Sequence, residues 1–361
     1  METSAASVTH RLTRWALAAL LAGPLAGQDS APASRPATAL PVVEAEPGSL
    51  DHLDQGVGGV RPPGGRFGGR ARFADRPDLS PGGFRDDEAF EQHLIRMAKQ
   101  LRARGGLVQT KDIRFGRRQS KYAIETAPRH VDVLDPAQLH EQLQRSVVVV
   151  AQFFQCGECE DWHLQPATGF AVGRSGAVAT SWHVLETDES QKSSYLVVAT
   201  LSGRVFPVRD LLCVQPDADL CVLGTEATDL WPLPLRTEAR VGESVYCLSN
   251  PEGQFAYFSE GRIARKHVFR ETRGALIFQR ETATQMLQVT LDFAYGSSGA
   301  PIVDACGNLV GIATATQVFG VGADSHDGAP QLVFRGAVSA THLARMLAPP
   351  GATAASRPSA R

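Results

Sequence analysis

The sequence predicts an all-β domain, an antiparallel barrel or sandwich, over the region that begins at Val147. Short runs of Val, Ile, Leu and Phe recur at nearly regular spacing, Gly, Pro, Asn and Asp separate them, and no helical pattern interrupts them. Many short strands with turn residues between them, and without crossover helices, are typical of antiparallel sheets. The runs are VVVVAQFF, GFAV, AVATSW, SYLVVATL, LLCV, DLCVL, SVYCL, ALIFQ, MLQVTL, APIV, LVGIAT and QLVFRGAVS.

Two helices are predicted before this β region. Between residues 86 and 104, acidic residues begin and basic residues end a segment with apolar side chains at helical spacing, namely Phe90, Leu94, Met97 and Leu101. Asp135 as N-cap, Pro136 at the first helical position and Gln138 in a capping-box position predict a second helix, which runs to about residue 145.

The N-terminal residues predict export. Arg11 and Arg14 precede an apolar run from Trp15 to Ala26 that is too short to span a bilayer, and small and polar residues follow it. This pattern is typical of a cleaved signal peptide, here residues 1–28, and an uncleaved short anchor is the alternative. Either interpretation predicts an exported protein, periplasmic or extracellular.

The segments at both ends of the chain are predicted to lack a core. Residues 29–85 are rich in Pro, Gly, Ala and Arg without apolar periodicity, so they cannot bury enough surface to offset chain entropy. Their Arg/Gly run is compatible with nucleic-acid binding. A solvent-exposed linker is favoured, because the segment lacks a set of aromatic side chains on which bases could stack. The predicted organisation continues with a helical extension (86–135), the main domain (136–347), whose last helix is Ala340–Leu347, and a disordered tail (348–361).

Charge and cysteine content narrow the class of protein. The formal net charge is −2, with 36 basic and 38 acidic residues, so neither nucleic acid nor an anionic membrane is indicated as a partner. Six cysteines are an even number in an exported chain, which permits disulfides. Cys213 and Cys221 flank a turn near Pro216 and form either a bridge or two buried thiols. The sequence leaves the pairing of the others open: Cys156, Cys159, Cys247 and Cys306.

Three residues are candidates for the chemistry of acyl transfer. Such a reaction needs a hydroxyl nucleophile, an imidazole that takes its proton and a carboxylate that orients the imidazole. The segment GSSGAP offers Ser298 as the nucleophile, and the N–H groups of Gly296 and Ser298 as an oxyanion hole. GFAVGRSGAVATSWHVLE places His183 after a strand and a turn, and PDADLCVL places Asp219 at the start of another strand. The order His, Asp, Ser within an all-β domain predicts a catalytic triad.

Four segments in this order resemble the trypsin-like peptidases of the HtrA group, which have the chymotrypsin fold. ATGFAVGRSGAVATSWHVL is similar to their catalytic His segment, PDADLCVL to their Asp segment, RVGESVYCLSNPEGQFAYFSEGRI to their central segment and FAYGSSGAPIVDACGNLVGIAT to their Ser segment. The resemblance covers about residues 140–347. It implies two six-stranded antiparallel barrels with the triad between them, His183 and Asp219 from the first barrel and Ser298 from the second.

The resemblance also implies a function. It implies a serine endopeptidase that hydrolyses polypeptide substrates through an acyl-enzyme intermediate and needs neither a cofactor nor a metal. Too few residues follow Leu347 for the PDZ domain that is common in this group. Ser297 stands where the digestive relatives have Asp, so activation by a newly formed N-terminus is not expected. Ala300 replaces the usual Gly next to the nucleophile turn.

Substrate preference depends on two weaker signals. Asp292 lies six residues before Ser298, where trypsin-like enzymes keep an acid at the base of the specificity pocket. A buried acid there selects Arg or Lys through a charge-assisted pair, and the alternative is that Asp292 caps the turn. Ala313 and Ala315 either line a roomy pocket or pack in the barrel.

The sequence also permits rival interpretations. Cys156 and Cys159 form a Cys-x-x-Cys pair after an apolar strand, as in thioredoxin, but EDWHLQPATGF is not a helical pattern. With His163 they also resemble the start of a zinc site, although no fourth ligand lies at finger-like spacing. The stronger rival is a protease-like domain that binds peptides or acts as a scaffold without turnover, which Ala300 keeps open. Three histidines are interpreted as surface or loop residues: His163, His267 and His342.

Overall fold

The computed structural model describes residues 83–113, 124–159, 161–187, 191–273, 280–320 and 330–348. The predicted signal peptide, the linker up to residue 82, the ALIFQ run and the tail after residue 348 lie outside the described residues. All described residues belong to one unit, Gly68–Arg361.

The first barrel contains β1 (Val147–Cys156), β2 (Trp162–Gly173), β3 (Ala177–Ser181), β4 (Gln191–Thr200), β5 (Val205–Gln215) and β6 (Leu220–Thr225). These strands are ordered β1-β2-β3-β6-β5-β4, and antiparallel pairing of β4 with β1 closes the barrel. Val148 and Val150 pack with residues of the other first-barrel strands, whereas Val147 and Val149 pack in a cluster shared with the helices and the second barrel. Burial of both faces of β1 explains the uninterrupted run of valines.

The second barrel contains β7 (Ser244–Ser249), β8 (Tyr257–Arg273), β9 (Arg280–Val289), β10 (Pro301–Val303), β11 (Leu309–Gly320) and β12 (Pro330–Ser339). These strands are ordered β10-β11-β12-β9-β8-β7, and pairing of β10 with β7 closes the barrel. Side chains from all six strands form a separate buried cluster. The two six-stranded antiparallel barrels that the resemblance implies are therefore confirmed.

Within the described residues, three α-helices pack on the barrels: α1 (Asp87–Ala103), α2 (Pro136–Gln144) and α3 (Ala340–Leu347). Asp86 caps α1 by accepting a hydrogen bond from the N–H of Ala89, and Asp135 and Gln138 form the predicted capping box of α2. Buried side chains of all three helices belong to one cluster with strands of both barrels. Within the part of the chain described here, no helix has the length and apolar character to cross a bilayer.

The cysteines decide between two alternatives that the sequence left open. All six thiols are free. In the β5–β6 hairpin Cys213 pairs with Val222, and Val214 pairs with Cys221. Of the two alternatives, the free thiols are present and the bridge is not, because the hairpin is centred between residues 217 and 218, so that Cys213 and Cys221 point to opposite faces of the sheet. Burial raises the pKa of the Cys213 thiol to about 11 and that of Cys221 well above its usual value.

Candidate active site

The structure brings together, at the junction of the two barrels, the three residues predicted for acyl transfer. Nδ1 of His183 lies 2.8 Å from Oδ2 of Asp219, and Nε2 of His183 lies 2.9 Å from Oγ of Ser298. The backbone N–H of His183 donates to the other carboxylate oxygen of Asp219 at 2.9 Å. The side chain of His183 is 43% exposed and that of Asp219 is 28% exposed. A continuous hydrogen-bond chain therefore runs from a shielded carboxylate to a hydroxyl that substrate can reach.

Strand pairing sets the relative position of the imidazole and the carboxylate. Ser181 at the end of β3 pairs with Leu220 at the start of β6, and the N–H of Trp182 donates to the carbonyl of Asp219 at 3.0 Å. Asp219 has a left-handed conformation, with φ of 52°, at the end of a short 3₁₀ helix. Aspartate tolerates this conformation better than most residues. His183 and Asp219 are each one or two residues beyond a paired strand end, which holds both side chains in place.

The surroundings of His183 prepare it to accept a proton. Burial lowers its pKa, but the hydrogen bond and the charge of Asp219 outweigh burial, and the pKa of His183 is raised above its ordinary value. Burial raises the pKa of Asp219, but hydrogen bonds from His183 and Thr314 outweigh it, and the pKa of Asp219 is lowered. The carboxylate is therefore ionised at neutral pH and stabilises a charged imidazole.

Thr314 belongs to this network, although the sequence analysis did not identify it. Its hydroxyl donates to Oδ2 of Asp219. Thr314 lies in β11 at a register shift between Ala313 and Ala315, so a second-barrel strand stabilises a first-barrel carboxylate. The two residues are 95 positions apart in the chain, and no local pattern signals their contact.

Two glycines shape the loop between β9 and β10, residues 290–300, which is called the nucleophile loop below. Gly296 and Gly299 have φ angles of 87° and 83°. A Cβ atom on Gly296 would lie 2.3 Å from the carbonyl oxygen of Asn250, and one on Gly299 would lie 2.3 Å from that of Thr168. Both positions therefore need glycine, for backbone conformation and for space.

The N–H groups predicted to form the oxyanion hole belong to Gly296 and Ser298. The carbonyl of Tyr295 accepts a hydrogen bond from the N–H of Glu252 at 2.7 Å. Because the carbonyl and N–H of a trans peptide point in opposite directions, this bond turns the N–H of Gly296 away from Glu252. Among the residues that the structure describes, neither predicted N–H has a hydrogen-bond acceptor. The oxyanion hole stays a prediction that this orientation supports.

Thr168, which is fully buried in β2, holds the nucleophile loop from the first barrel. Its hydroxyl donates to the carbonyl of Gly296 at 2.7 Å, and its N–H donates to the carbonyl of Ser298 at 3.0 Å. The same hydroxyl accepts a hydrogen bond from the N–H of Asn250 at 3.1 Å. Thr168 could not be predicted from the sequence, because one threonine at a strand position carries no local signal of such contacts.

Both departures from the family pattern are accommodated in the nucleophile loop. Ser297 is fully buried, and its hydroxyl donates to that of Ser249 at 3.1 Å. Ala300 is fully buried, and its methyl group packs in the second-barrel cluster. Its φ is not positive, so the added methyl causes no backbone strain. The substitution of Ala for Gly at position 300 therefore fills the core rather than the space around the triad.

The two predicted specificity residues lie in different environments. Ala313 is fully buried in the second-barrel cluster, which fits the alternative that its side chain packs in the barrel. Its carbonyl instead accepts a hydrogen bond from the N–H of Gly299 at 2.8 Å. Asp292 is exposed, whereas selection of Arg or Lys at the base of a pocket calls for a buried acid. A role for Asp292 in substrate preference stays a prediction.

The three other histidines lie in different environments. His342 in α3 is buried, which corrects the interpretation of it as a surface residue, and burial lowers its pKa. Its Nε2 accepts a hydrogen bond from the N–H of Gln285 at 3.0 Å. His267 in β8 is half-buried, and His163 in β2 is exposed.

Comparison with known proteins agrees with this geometry. Residues 167–312 match the model of the trypsin-like peptidase domain, and this region includes all three triad positions. The match covers less than half of the chain and shows that residues 167–312 are similar to trypsin-like peptidase domains. Because the family consists of peptidases, the match supports a protease function.

The curated relatives of this chain include proteases. "Protease Do-like 5, chloroplastic" from Arabidopsis thaliana is 29% identical over 158 residues, which cover 41% of this chain and 47% of that protein. "Serine endoprotease DegS" from Escherichia coli (strain K12) is 26% identical over 189 residues, 50% of this chain and 49% of that protein. The chain spans about half the length of these relatives. Among solved structures, "HtrA-type protease AlgW with tripeptide" is 22% identical, with a TM-score of 0.44, and covers 59% of this chain and 62% of its own.

Proposed function

We propose that this protein is a serine endopeptidase whose catalytic residues are Ser298, His183 and Asp219. The observation that supports this most directly is the hydrogen-bond chain from Asp219 through His183 to Ser298, with contacts of 2.8 and 2.9 Å. This arrangement is the one needed to activate a hydroxyl for attack on an acyl group. The family match and the proteases among the relatives support the same chemistry.

In the proposed reaction, Oγ of Ser298 attacks the carbonyl carbon of the substrate peptide bond while Nε2 of His183 takes the hydroxyl proton. Asp219 stabilises the imidazolium, and the N–H groups of Gly296 and Ser298 stabilise the oxyanion. The tetrahedral intermediate then collapses, the C–N bond breaks, and the leaving amine takes the proton from His183. Water hydrolyses the acyl-enzyme by the same steps, which regenerates Ser298.

We propose extended polypeptides as substrates. A cavity of about 180 Å³ lies beside Asp219, bounded by the residues before it and by strands β8, β9, β11 and β12. Its apolar wall includes Phe269, Met286 and Val338. Such a wall suits an apolar side chain of a peptide whose scissile bond lies at Ser298.

We also propose that residues 1–28 direct export and that residues 136–347 form the protease domain, preceded by the extension 86–135. The charged and apolar pattern of the N-terminus supports export. In the extension, Phe90 and Leu94 of α1 are buried in the cluster that both barrels share. We therefore expect the protease domain to lose stability when α1 is removed.

The proposed activity is tested by hydrolysis of an unfolded, fluorescently labelled protein by the mature chain. We expect the wild-type protein and Ser175→Ala to cleave it, because Ser175 is an exposed serine in the turn after β2. Ser298→Ala should be inactive but folded, as judged by circular dichroism, because Ser298 is only half-buried. Equal cleavage by Ser298→Ala and the wild type, or no cleavage by folded wild type, contradicts the proposal.

A further inference from the structure

We propose that Cys156, Cys159 and His163, at the tip of the β1–β2 hairpin, bind one zinc ion. The Sγ atoms of the two cysteines and a ring nitrogen of His163 all lie within 4.8 Å of one another. Two thiolates and an imidazole are a ligand set that zinc prefers. This site is separate from the proposed triad, so the inference does not depend on the proposed protease function.

The distances require only a small adjustment to hold a metal. Nε2 of His163 lies 3.0 Å from Sγ of Cys159. In a tetrahedral zinc site, Zn–S bonds of about 2.3 Å and Zn–N bonds of about 2.0 Å place sulfur and nitrogen about 3.5 Å apart. Separation of these two atoms by roughly half an ångström is within the reach of exposed side-chain rotations, and both residues are exposed.

The backbone of the hairpin directs Cys156 toward the site. The register of β1 against β4 shifts between Gln155 and Cys156, and the N–H of Cys156 donates to the carbonyl of Asp161 at 3.0 Å across the hairpin. The N–H of Glu158 points to Sγ of Cys156 at 3.4 Å. Backbone N–H groups that point to a sulfur stabilise the thiolate, which is the form that binds a metal.

The imidazole is also positioned within the hairpin. His163 pairs with Phe154 across the β1–β2 ladder, and their rings lie 5.6 Å apart. Cys159 and His163 are exposed and Cys156 is half-buried, so water can reach the fourth position of a tetrahedral ion. A disulfide between the cysteines would use the same sulfur atoms but leave the imidazole without a role, and the convergence of three donors therefore favours a metal.

A bound ion would stabilise the contact between the hairpin and α1. Trp162, which lies beside His163, stacks on Phe153 at 4.5 Å. The guanidinium of Arg102, at the end of α1, lies 4.3 Å from the centre of the Trp162 ring. An ion that fixes the hairpin tip fixes Trp162, and through it the end of α1. The expected effect of zinc is on the stability of the hairpin and of its contact with α1, because these ligands belong to the hairpin and not to the triad.

The test is a zinc titration of the reduced, chelator-treated full chain, with a competing chromophoric chelator. We expect one zinc ion per chain, a higher Tm with zinc, and charge-transfer and d–d bands of a tetrahedral thiolate site when cobalt(II) replaces zinc. Cys156→Ser and His163→Ala should each weaken zinc binding at least tenfold and lose the rise in Tm. Cys306→Ser is the matched control, a half-buried cysteine outside the cluster, and it should bind zinc like the wild type.

Three results would overturn the zinc site. One is the absence of stoichiometric zinc binding by the reduced wild type. Another is equal binding by the wild type and a variant that lacks Cys156, Cys159 and His163. The third is a Cys156–Cys159 disulfide, identified by mass spectrometry, in protein purified in the presence of zinc. Peptidase activity is not a readout here, so failure of this site and failure of the proposed protease function are distinguishable.

Discussion

The two barrels contribute to the candidate active site in different ways. The first presents His183 and Asp219 from the ends of two paired strands, so the β3–β6 register sets the distance between imidazole and carboxylate. The second presents Ser298 from a loop, whose shape depends on Gly296 and Gly299 at positive φ. The candidate acid–base pair is therefore part of a sheet, whereas the position of the candidate nucleophile depends on a loop.

Each barrel also stabilises a candidate catalytic group that the other presents. Thr314 in the second barrel donates to Asp219 in the first, and Thr168 in the first barrel donates to the carbonyl of Gly296 in the second. The candidate site is therefore complete only when the two barrels are packed together. Substitutions in the first barrel and in the second barrel should therefore differ in their effects on activity and stability.

The largest effect is expected from substitution of His183, which connects the carboxylate of Asp219 to the hydroxyl of Ser298. His183→Ala should lower kcat by about a millionfold, because the hydroxyl then lacks its base. The double variant with Ser298→Ala should lose little more, because triad members act as a unit. Steady-state hydrolysis of a peptide substrate measures both effects. Losses that multiply in the double variant contradict a shared mechanism.

The next largest effect is expected from substitution of Asp219, the carboxylate that the first barrel presents. Asp219→Asn keeps the shape but removes the charge, and we expect kcat to fall by about 10⁴-fold. Because Asp219 raises the pKa of His183, the base is neutral only above this raised pKa, and wild-type activity falls as the pH drops through it. In Asp219→Asn the acid limb of the kcat/KM profile should move to lower pH. A limb at unchanged pH contradicts the proposed pairing.

A smaller effect is expected from the second-barrel support of the carboxylate. Thr314→Val removes the hydroxyl that donates to Asp219. Hydrogen bonds to charged groups contribute about 1.5–3 kcal/mol, so we expect kcat to fall by roughly tenfold to a hundredfold. Thr314→Ser, which keeps a hydroxyl, should restore most of the rate. Equal activity of the Val and Ser variants would show that the hydroxyl has no role in positioning Asp219.

The reciprocal contact should affect stability as well as rate. Thr168→Val leaves the carbonyl of Gly296 and the N–H of Asn250 without their buried partner. We expect the free energy of unfolding to fall by about 1–3 kcal/mol, with a slower reaction of Ser298 toward acylating reagents. Denaturant unfolding and acylation kinetics measure the two quantities. If stability falls without any change in acylation, Thr168 does not position the nucleophile loop.

The smallest effect is expected at Asp292. Its carboxylate is exposed, and exposed charge pairs contribute about 0–1 kcal/mol. We therefore expect Asp292→Asn to change the preference for Arg and Lys over Leu at the cleavage site by less than about fivefold. A peptide library compares the wild type and the variant. A loss of Arg and Lys preference by a hundredfold or more would restore the sequence-based interpretation of this residue.

Local patterns predicted the features that depend on neighbouring residues. The capping box of Asp135 and Gln138 and the helix Ala340–Leu347 are present as expected, because caps and turns act within a few positions of the chain. The resemblance supplied the two barrels and named the three residues that the structure brings together.

Features that depend on register or on contacts between the barrels were not predictable. The hairpin is centred half a residue away from the position at which Cys213 and Cys221 would face each other, so the two side chains lie on opposite faces of the sheet. Thr168 contacts Gly296 over 128 positions in the chain, and Thr314 contacts Asp219 over 95. Ala313 contributes through its carbonyl, which every residue type has, so no side-chain signal was available.

The most direct test of the proposed triad is fluorophosphonate labelling of the mature protein, with the modified residue mapped by mass spectrometry. We predict a single adduct on Oγ of Ser298, and we predict that Asp219→Asn and Thr168→Val react more slowly. Ser175→Ala should be labelled like the wild type, and Ser298→Ala should not be labelled. Folded wild-type protein that forms no adduct, or forms it equally in Ser298→Ala, would contradict the assignment of Ser298 as an activated nucleophile.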